Sequence, residues 1–390
     1  MGKILYYLPP LSPDYSGVAS VFHDLGALTV IHDASGCTGT YTGYDEPRWF
    51  GSKSPTFCSG LREMDAIMGD DEKLLKKIEA ALVHINAPCV VIIGSPVPMV
   101  VGFDFTGFAA LVEKRTGLPC FAFPATGLAY YDTGQKAAYL AIAKKFLNAG
   151  EGGILPNTVN ILGASVLDGF DDGKLDSLIA LLHGEGLHTG AVWGMRSSLE
   201  GLRQTPQAAV NWVVTAAALP LAQHLREQFG TPFVAGLPLG DQETRRIITG
   251  LRAANNTEGE SAAVTGTANS DGAANPAANQ FPPGGEFSGG NDMRVLLTGE
   301  GLFCASLRAQ MEAEQGLAAV RIGSFFTEAR AVFNAGDIVF TSEDSLTNVL
   351  AHDGLELVAG DPLFRDLLPP DSPARFIEIP HRAVSGRLYA

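Results

Sequence analysis

Short apolar runs alternate with amphipathic helical stretches along most of the chain, and this alternation leaves few architectures open. The clearest case joins CVVIIGS at 89–95 to CFAFP at 120–124 through the helix-like FTGFAALVEKRTG. That spacing fits a β-α-β crossover, the unit of parallel α/β sheets. After the helical run TGQKAAYLAIAKKFLNAG, a second unit starts near residue 157 with NTVNILGAS. NWVVTAA, LPLAQHLREQFG and PFVAGLP then supply strand, helix and strand around 211–238.

Residues 255–290 combine small and polar side chains with proline and hold almost no large apolar residue. Such a segment cannot offset the entropy of ordering by burying a core, so a mobile insertion is expected. MRVLLTGEG restarts the regular pattern, which runs on through VFTSE and LELVAGDP. The expectation is three α/β domains: 1–150, 151–254 and 291–390, with the low-complexity insertion at 255–290.

Composition narrows the function. With 27 basic against 42 acidic residues, the net charge of −15 repels nucleic acid and offers no broad phosphate-binding surface. No long uninterrupted apolar run suits a membrane span. The start, MGKILYYLPPLSPDY, has one lysine and then two prolines, unlike a secretory leader, so a cytoplasmic protein is expected. Cysteines stand at 37, 58, 89, 120 and 304, with no CxxC pair and no dense disulfide framework. GLPLGD follows an apolar strand and suits an anion, but neither a full GxGxxG nor a GxxxxGK(S/T) phosphate loop is present. If ATP is used, another subunit hydrolyses it.

HDASGCTG, residues 32–39, sets Cys37 between Gly36 and Thr38 in a glycine-bearing loop after an apolar strand. Gly36 and Gly39 permit close backbone approach, which suits a bulky inorganic cluster. Two readings stand for Cys37 on these features, a cluster ligand and a buried structural thiol. One cysteine cannot complete a site by itself.

HDASGCTG, followed by SPTFCSGLREMDAIMGDDEKLLKKI at 54–78, resembles the amino-terminal region of nitrogenase component 1 proteins, in particular the beta-type chain. The ending IPHRAVSGRLY extends the resemblance over most of the chain apart from 255–290. It implies three Rossmann-like domains with open, mainly parallel sheets, the first of them at the cluster interface. Cys37 matches the central cysteine that holds a bridging iron-sulfur cluster, either P-cluster-like (8Fe-7S) or a smaller 4Fe-4S centre. The family's earlier ligand falls near Pro13, which cannot replace a thiolate, and its later one corresponds to Ser95 in GSPVPMVVGFD. Ser95 is then an alkoxide ligand or a structural serine. Cys58 in FCSG is the best additional ligand candidate against a thiol supporting the loop, while Cys89, Cys120 and Cys304 read as core thiols. His32 either donates to a cluster sulfur, fixes the loop, or is a structural histidine.

The resemblance also implies partners: a paralogous alpha-type subunit holding a catalytic metallocluster, an ATP-hydrolysing iron protein, and an alpha2-beta2 assembly. Val214 in WVVTAAALPLAQHLREQFG stands near the position where the alpha-type chain has a cysteine, which favours the noncatalytic beta-type role. His381 in PHRAVSG is either a substrate or partner contact or a solvent-exposed structural residue. Among the family's reactions, reductive C-S cleavage of methylthio-alkanes is the expected one. The alternatives are dinitrogen or tetrapyrrole reduction, and a noncatalytic metallocluster scaffold or assembly protein.

Other polar residues carry less. Tyr41, Tyr44, Asp45, Glu46, Arg48 and Trp49 in TYTGYDEPRW read as interface residues or as a stable turn within the chain. Asp70, Asp71 and Glu72 precede LLKKIEAALVH and suit the positive end of a helix. No complete Ser/His/Asp or Cys/His set can be assembled.

Overall fold

LTVI and VVII, the strands β1 (Leu28–Ile31) and β3 (Val90–Ile93), are buried at every position. Strands covered on both faces by helices carry such continuous apolar runs. With β2 (Thr56–Cys58) and β4 (Cys120–Phe123) they form a parallel sheet in the order β2-β1-β3-β4. The predicted crossover helix spans Phe105–Thr116; Asp104 caps its start by accepting from the Gly107 amide at 2.9 Å, and Gly117 closes it in the left-handed region. Leu74, Leu75 and Ile78 form the buried stripe of the helix Asp71–Leu82, which opens on Asp71 and Glu72.

The computed structural model describes residue 8 and residues 11–51, 54–69, 71–148, 153–256 and 292–385. Asp70, most of the first ten residues and nearly all of the expected 255–290 insertion lie outside that set. Asn255 and Asn256, counted with the insertion, instead end the helix Gly240–Asn256.

A second sheet contains β5 (Leu155–Ala164), β6 (His188–Gly194), β7 (Ala208–Val213) and β8 (Phe233–Ala235) in the order β6-β5-β7-β8. The third contains β9 (Arg294–Thr298), β10 (Ala319–Ser324), β11 (Ile338–Val339), β12 (Leu357–Gly360) and β13 (Arg375–Glu378), ordered β11-β10-β9-β12-β13. All ten strand pairings of the three sheets are parallel, so the expected open parallel architecture is present. Trp193 and Trp212 are fully buried in the middle sheet, with indole N–H groups donating to Thr205 Oγ1 and the Gly236 carbonyl.

The helix Asp14–Phe22 lies wholly inside the protein and crosses the helix Tyr131–Phe146 at backbone contact. A Cβ on Gly17 would stand 2.0 Å from the Tyr131 carbonyl oxygen, and one on Gly134 would stand 2.0 Å from that of Asp14. Glycine is required at both because the two backbones touch there. This crossing places the start of the first helix beside the strand ends of the first sheet. The end of the described chain closes over it: the Ser12 amide donates to the Ala383 carbonyl, and Ser385 donates its hydroxyl to Asp45.

Candidate functional site

Loops at the carboxyl ends of parallel strands are where such sheets place their chemistry. Beyond β1 the chain passes through His32 and Asp33 into the short helix Gly36–Thr40, which carries Cys37. Asp33 builds this turn: one carboxylate oxygen accepts from the amides of Ser35 at 3.0 Å and Thr38 at 3.1 Å. Between them Ser35 sits at φ 145°, a region that disfavours any residue with a Cβ. Such strain, on the order of 1–3 kcal/mol, persists only when surrounding bonds fix it.

Cys37 is half-buried, and Tyr15 and Ser95 lie near enough to its sulfur to act on its ionisation. Burial first, then the Asp33 carboxylate, raises the thiol pKa, while Tyr15 and Ser95 pull it down. Burial and the neighbouring thiol likewise push the Tyr15 phenol up. The uncomplexed thiol therefore stays protonated at neutral pH, and a cation on the sulfur reverses that preference.

Ser95 is fully buried where β3 turns into the helix Pro96–Val100, and its hydroxyl donates to the His32 carbonyl at 2.9 Å. Pro13 immediately precedes the helix bearing Tyr15. The three segments singled out from the sequence thus converge, with a thiol at one, a hydroxyl at the second and a phenol two residues past the third. Tyr15 went unnoticed in the sequence; its signal was its place two residues beyond Pro13.

His32 and Cys58 turn to other partners. The His32 ring bonds Ser59 through Nδ1 at 2.9 Å, packs 4.4 Å from the Phe103 ring, and borders a cleft of about 270 Å³ shared with Lys77. Burial pushes its pKa down to about 4, so it is neutral at pH 7. The Cys58 thiol donates to the Asp33 carbonyl and accepts from the Gly60 amide, both at 3.3 Å, and so braces the loop from β2. Cys89, Cys120 and Cys304 are buried, and burial pushes the thiols of Cys89 and Cys120 up to about 12.

TYTGYDEPRW is a turn closed within the chain, which corrects the interface reading for most of its residues. Tyr41, Asp45 and Glu46 are buried. Arg48 grips Glu46 with Nε and Nη2, both at 2.7 Å, and donates to Asp24 at 2.9 Å and the Ser20 carbonyl at 2.8 Å. A guanidinium saturated by internal acceptors is not offered to a partner. Tyr44 does remain exposed, and Phe50, Ile67, Met68, Val100 and Leu128, most of them on short helices after the strands of the first sheet, stand 68–89% exposed.

Among the described residues, no three His, Cys, Asp or Glu side chains converge in a way that could hold a metal ion. An iron-sulfur cluster therefore fits here only as a shared group. Cys37 could offer one thiolate to such a group, and its remaining ligands would have to come from outside the described residues.

A different cluster of groups lies between the second and third sheets, around a cavity of about 320 Å³. Val214 is fully buried at its wall, with its amide bonded to the Leu162 carbonyl. His381 is half-buried rather than solvent-exposed, because its ring packs 5.0 Å from that of Phe326 and 5.7 Å from that of Tyr131. The Tyr131 hydroxyl donates to Asp168 at 2.6 Å and lies 3.1 Å from His381 Nε2, which requires that nitrogen to carry the proton. Gln135 donates to Asp168 as well. Burial, and Glu300 next to it, push the Asp168 pKa well up. Glu300 itself accepts from the Ala216 and Phe303 amides at 2.7 Å. Apart from His381 in PHRAVSG, no sequence motif marks these residues, which are drawn from distant elements.

Comparison with known proteins adds to this geometry. A family model described as nitrogenase component 1 type oxidoreductase matches residues 14–336. The B-type subunit of light-independent protochlorophyllide reductase from Picosynechococcus sp. is 32% identical over 106 residues, 27% of this chain and 21% of that protein. Its counterpart from Nostoc punctiforme is 30% identical over 122 residues, 31% of this chain and 24% of that one. The match therefore spans less than a quarter of the length of these curated relatives. Among solved structures, nitrogenase Cp1 at pH 6.5 superposes with a TM-score of 0.68 over 99% of this chain and 89% of its own, at 13% identity. Nitrogenase Cp1 at pH 5 gives a TM-score of 0.65, again at 13% identity, over 98% of this chain and 85% of its own. At that identity the likeness is one of fold. No helix among the described residues is long and apolar enough to cross a membrane.

Proposed function

Since the chain belongs to the nitrogenase component 1 type oxidoreductase family, we propose that it is the beta-type subunit of an ATP-dependent two-component reductase. The observation that carries this reading is Cys37 itself: one thiol at a strand end, with Ser95 and Tyr15 at its sulfur, on a face rimmed by exposed apolar side chains. An iron-sulfur cluster held there supplies a low-potential one-electron relay. Cys37 holds its share of the cluster, Ser95 ties the Cys37 loop to β3, and Tyr15 donates toward the sulfur. Phe50, Met68 and Val100 suit burial against an alpha-type partner, which brings the other ligands and the catalytic centre. ATP hydrolysis falls to a separate iron protein, since no phosphate loop occurs in this sequence.

For the substrate, tetrapyrrole reduction ranks ahead of C-S cleavage of methylthio-alkanes. The curated relatives that resemble part of this chain are named as protochlorophyllide reductase subunits, and no feature of this chain points to an organosulfur compound. Anaerobic native mass spectrometry of the natively isolated complex, with iron and acid-labile sulfide analysis, tests the assignment. The expected result is an alpha-type partner with a stoichiometric cluster, followed by turnover with iron protein and ATP. A metal-free homomer that stays metal-free after anaerobic reconstitution overturns it.

A further inference from the structure

The helix Glu63–Met68 buries none of its side chains. Met64, Ile67 and Met68, spaced as i, i+3 and i+4, form an apolar stripe, yet each is 63–71% exposed. Asp65 and Ala66 instead line the cleft of about 270 Å³ that separates this helix from the body of the first domain. A helix fastened by burial turns its apolar stripe inward. Hydrophobic packing therefore does not hold this one in place.

What does hold it can be traced bond by bond. The chain is pinned at Leu61, whose amide donates to the Asp33 carbonyl at 2.8 Å. Arg62 then opens the helix in an extended conformation, and Gly69 closes it at φ 65° with open space where a side chain would stand. Element ends of this kind absorb the dihedral changes of a hinge, and glycine does so at least cost. Across the cleft, Lys73 of the helix Asp71–Leu82 donates to Asp65 at 2.6 Å. Among the described residues this is the one bond from Glu63–Met68 to the rest of the domain. The Lys73 side chain is 47% exposed, so water and salt reach the pair.

The same cleft is lined by His32, together with Lys77 and Phe103. That histidine is only 5% exposed; Ser59 engages its Nδ1, and its Nε2 has no hydrogen-bond partner among the described residues. An imidazole with a spare nitrogen thus lies under a helix that one exposed ion pair ties down. Elements with so few buried contacts open at little cost.

We propose that the helix Glu63–Met68 is a hinged flap over the His32 cleft, latched by Asp65 and Lys73, whose opening admits small molecules to the imidazole. This goes beyond the reading of Cys37, and its test needs neither a cluster nor a partner. The probe is diethyl pyrocarbonate, which transfers an ethoxycarbonyl group to a neutral imidazole nitrogen and releases carbon dioxide and ethanol. Mass spectrometry of the full chain compares His32 with His84, which is exposed and sets the unhindered rate.

At about 0.05 M salt His32 should react more slowly than His84, because the latch is closed most of the time. Raising the salt to about 0.5 M should speed His32 about two- to fivefold relative to His84, the range that an exposed ion pair supports. Lys73→Gln should start at the faster rate and lose the response to salt. A ratio that salt leaves unchanged in the natural chain, or a Lys73→Gln rate equal to the natural one at low salt, overturns the proposal. So does a gain at His32 matched by alkylation of the buried Cys304, which reports unfolding of the whole chain. The salt comparison needs no variant and decides should Lys73→Gln fold poorly.

Discussion

The Ser95 hydroxyl donates to the backbone carbonyl of His32 at 2.9 Å, tying the end of β3 to the first residue of the loop that carries Cys37. This bond joins positions 63 residues apart and is wholly buried. The serine thus anchors the loop that carries Cys37.

Replacing Cys37 with alanine should remove most of the iron taken up on anaerobic reconstitution with the partner. The cost in stability should be only about 1 kcal/mol, because the thiol is half-buried. Ser95→Ala should behave the other way. It orphans the His32 carbonyl and costs about 1–3 kcal/mol, with a smaller loss of iron. Unchanged iron content and redox spectra in Cys37→Ala would rule out the ligand role.

Arg48→Ala should be among the most destabilising single changes in the first domain. It leaves Glu46, with a fully buried side chain, and the largely buried Asp24 without their common cation, a loss of about 3–5 kcal/mol. Arg48→Lys should recover only part, since an ammonium cannot bridge both Glu46 oxygens and Asp24 at once. Urea midpoints of the three proteins measure this, and equal midpoints for Arg48→Ala and the natural chain contradict it.

Asp132 is buried, and burial pushes its pKa up to about 6. Between the unfolded value near 4 and that folded value, the native chain holds a proton that the unfolded chain has lost. Ionising the buried carboxyl then weakens the fold as pH rises through this window, by about 3 kcal/mol at most above it. Asp132→Asn should therefore raise the urea midpoint at pH 7.5 and lose the advantage toward pH 4. His32 acts in the opposite sense: its folded pKa of about 4 lies below the unfolded 6.5, so stability falls as pH drops through that interval. His32→Gln should flatten the acid side of the curve. An Asp132→Asn gain that is equal at both ends of the pH range would refute the assignment.

Gly17→Ala inserts a methyl group 2.0 Å from the Tyr131 carbonyl oxygen, and neither backbone can yield locally. We expect a loss of more than about 3 kcal/mol or failure to accumulate as folded protein, against under about 1 kcal/mol for alanine in an uncrowded helix position. Circular dichroism melting curves distinguish the two.

The sheets were legible because β1 and β3 are apolar at every residue and the helix between β3 and β4 carries its own caps. Cys37 was legible for a local reason too, as a glycine-flanked thiol just past a strand. TYTGYDEPRW looked like surface because charge and aromaticity are shared by interfaces and by closed turns. Only the positions of Asp24 and Ser20 reveal where Arg48 points. Of the row from Asp168 through Tyr131 to His381 only His381 stood out in the sequence, because its members lie 37 and 250 residues apart and Asp168 and Tyr131 are unremarkable in their own segments.

Asp45 receives hydroxyls from Ser12 and Ser16 near the start of the chain and from Ser385 close to its end, 340 positions later. At ribosomal rates of roughly 5–20 residues per second, that interval is on the order of tens of seconds. During synthesis the segment carrying Cys37 is therefore made, and its sheet can form, well before the last hydroxyl arrives to seal the carboxylate beside Tyr15. That carboxylate is thus sealed long after its own segment is made, which leaves a window in the life of each new molecule when that side of the protein is open.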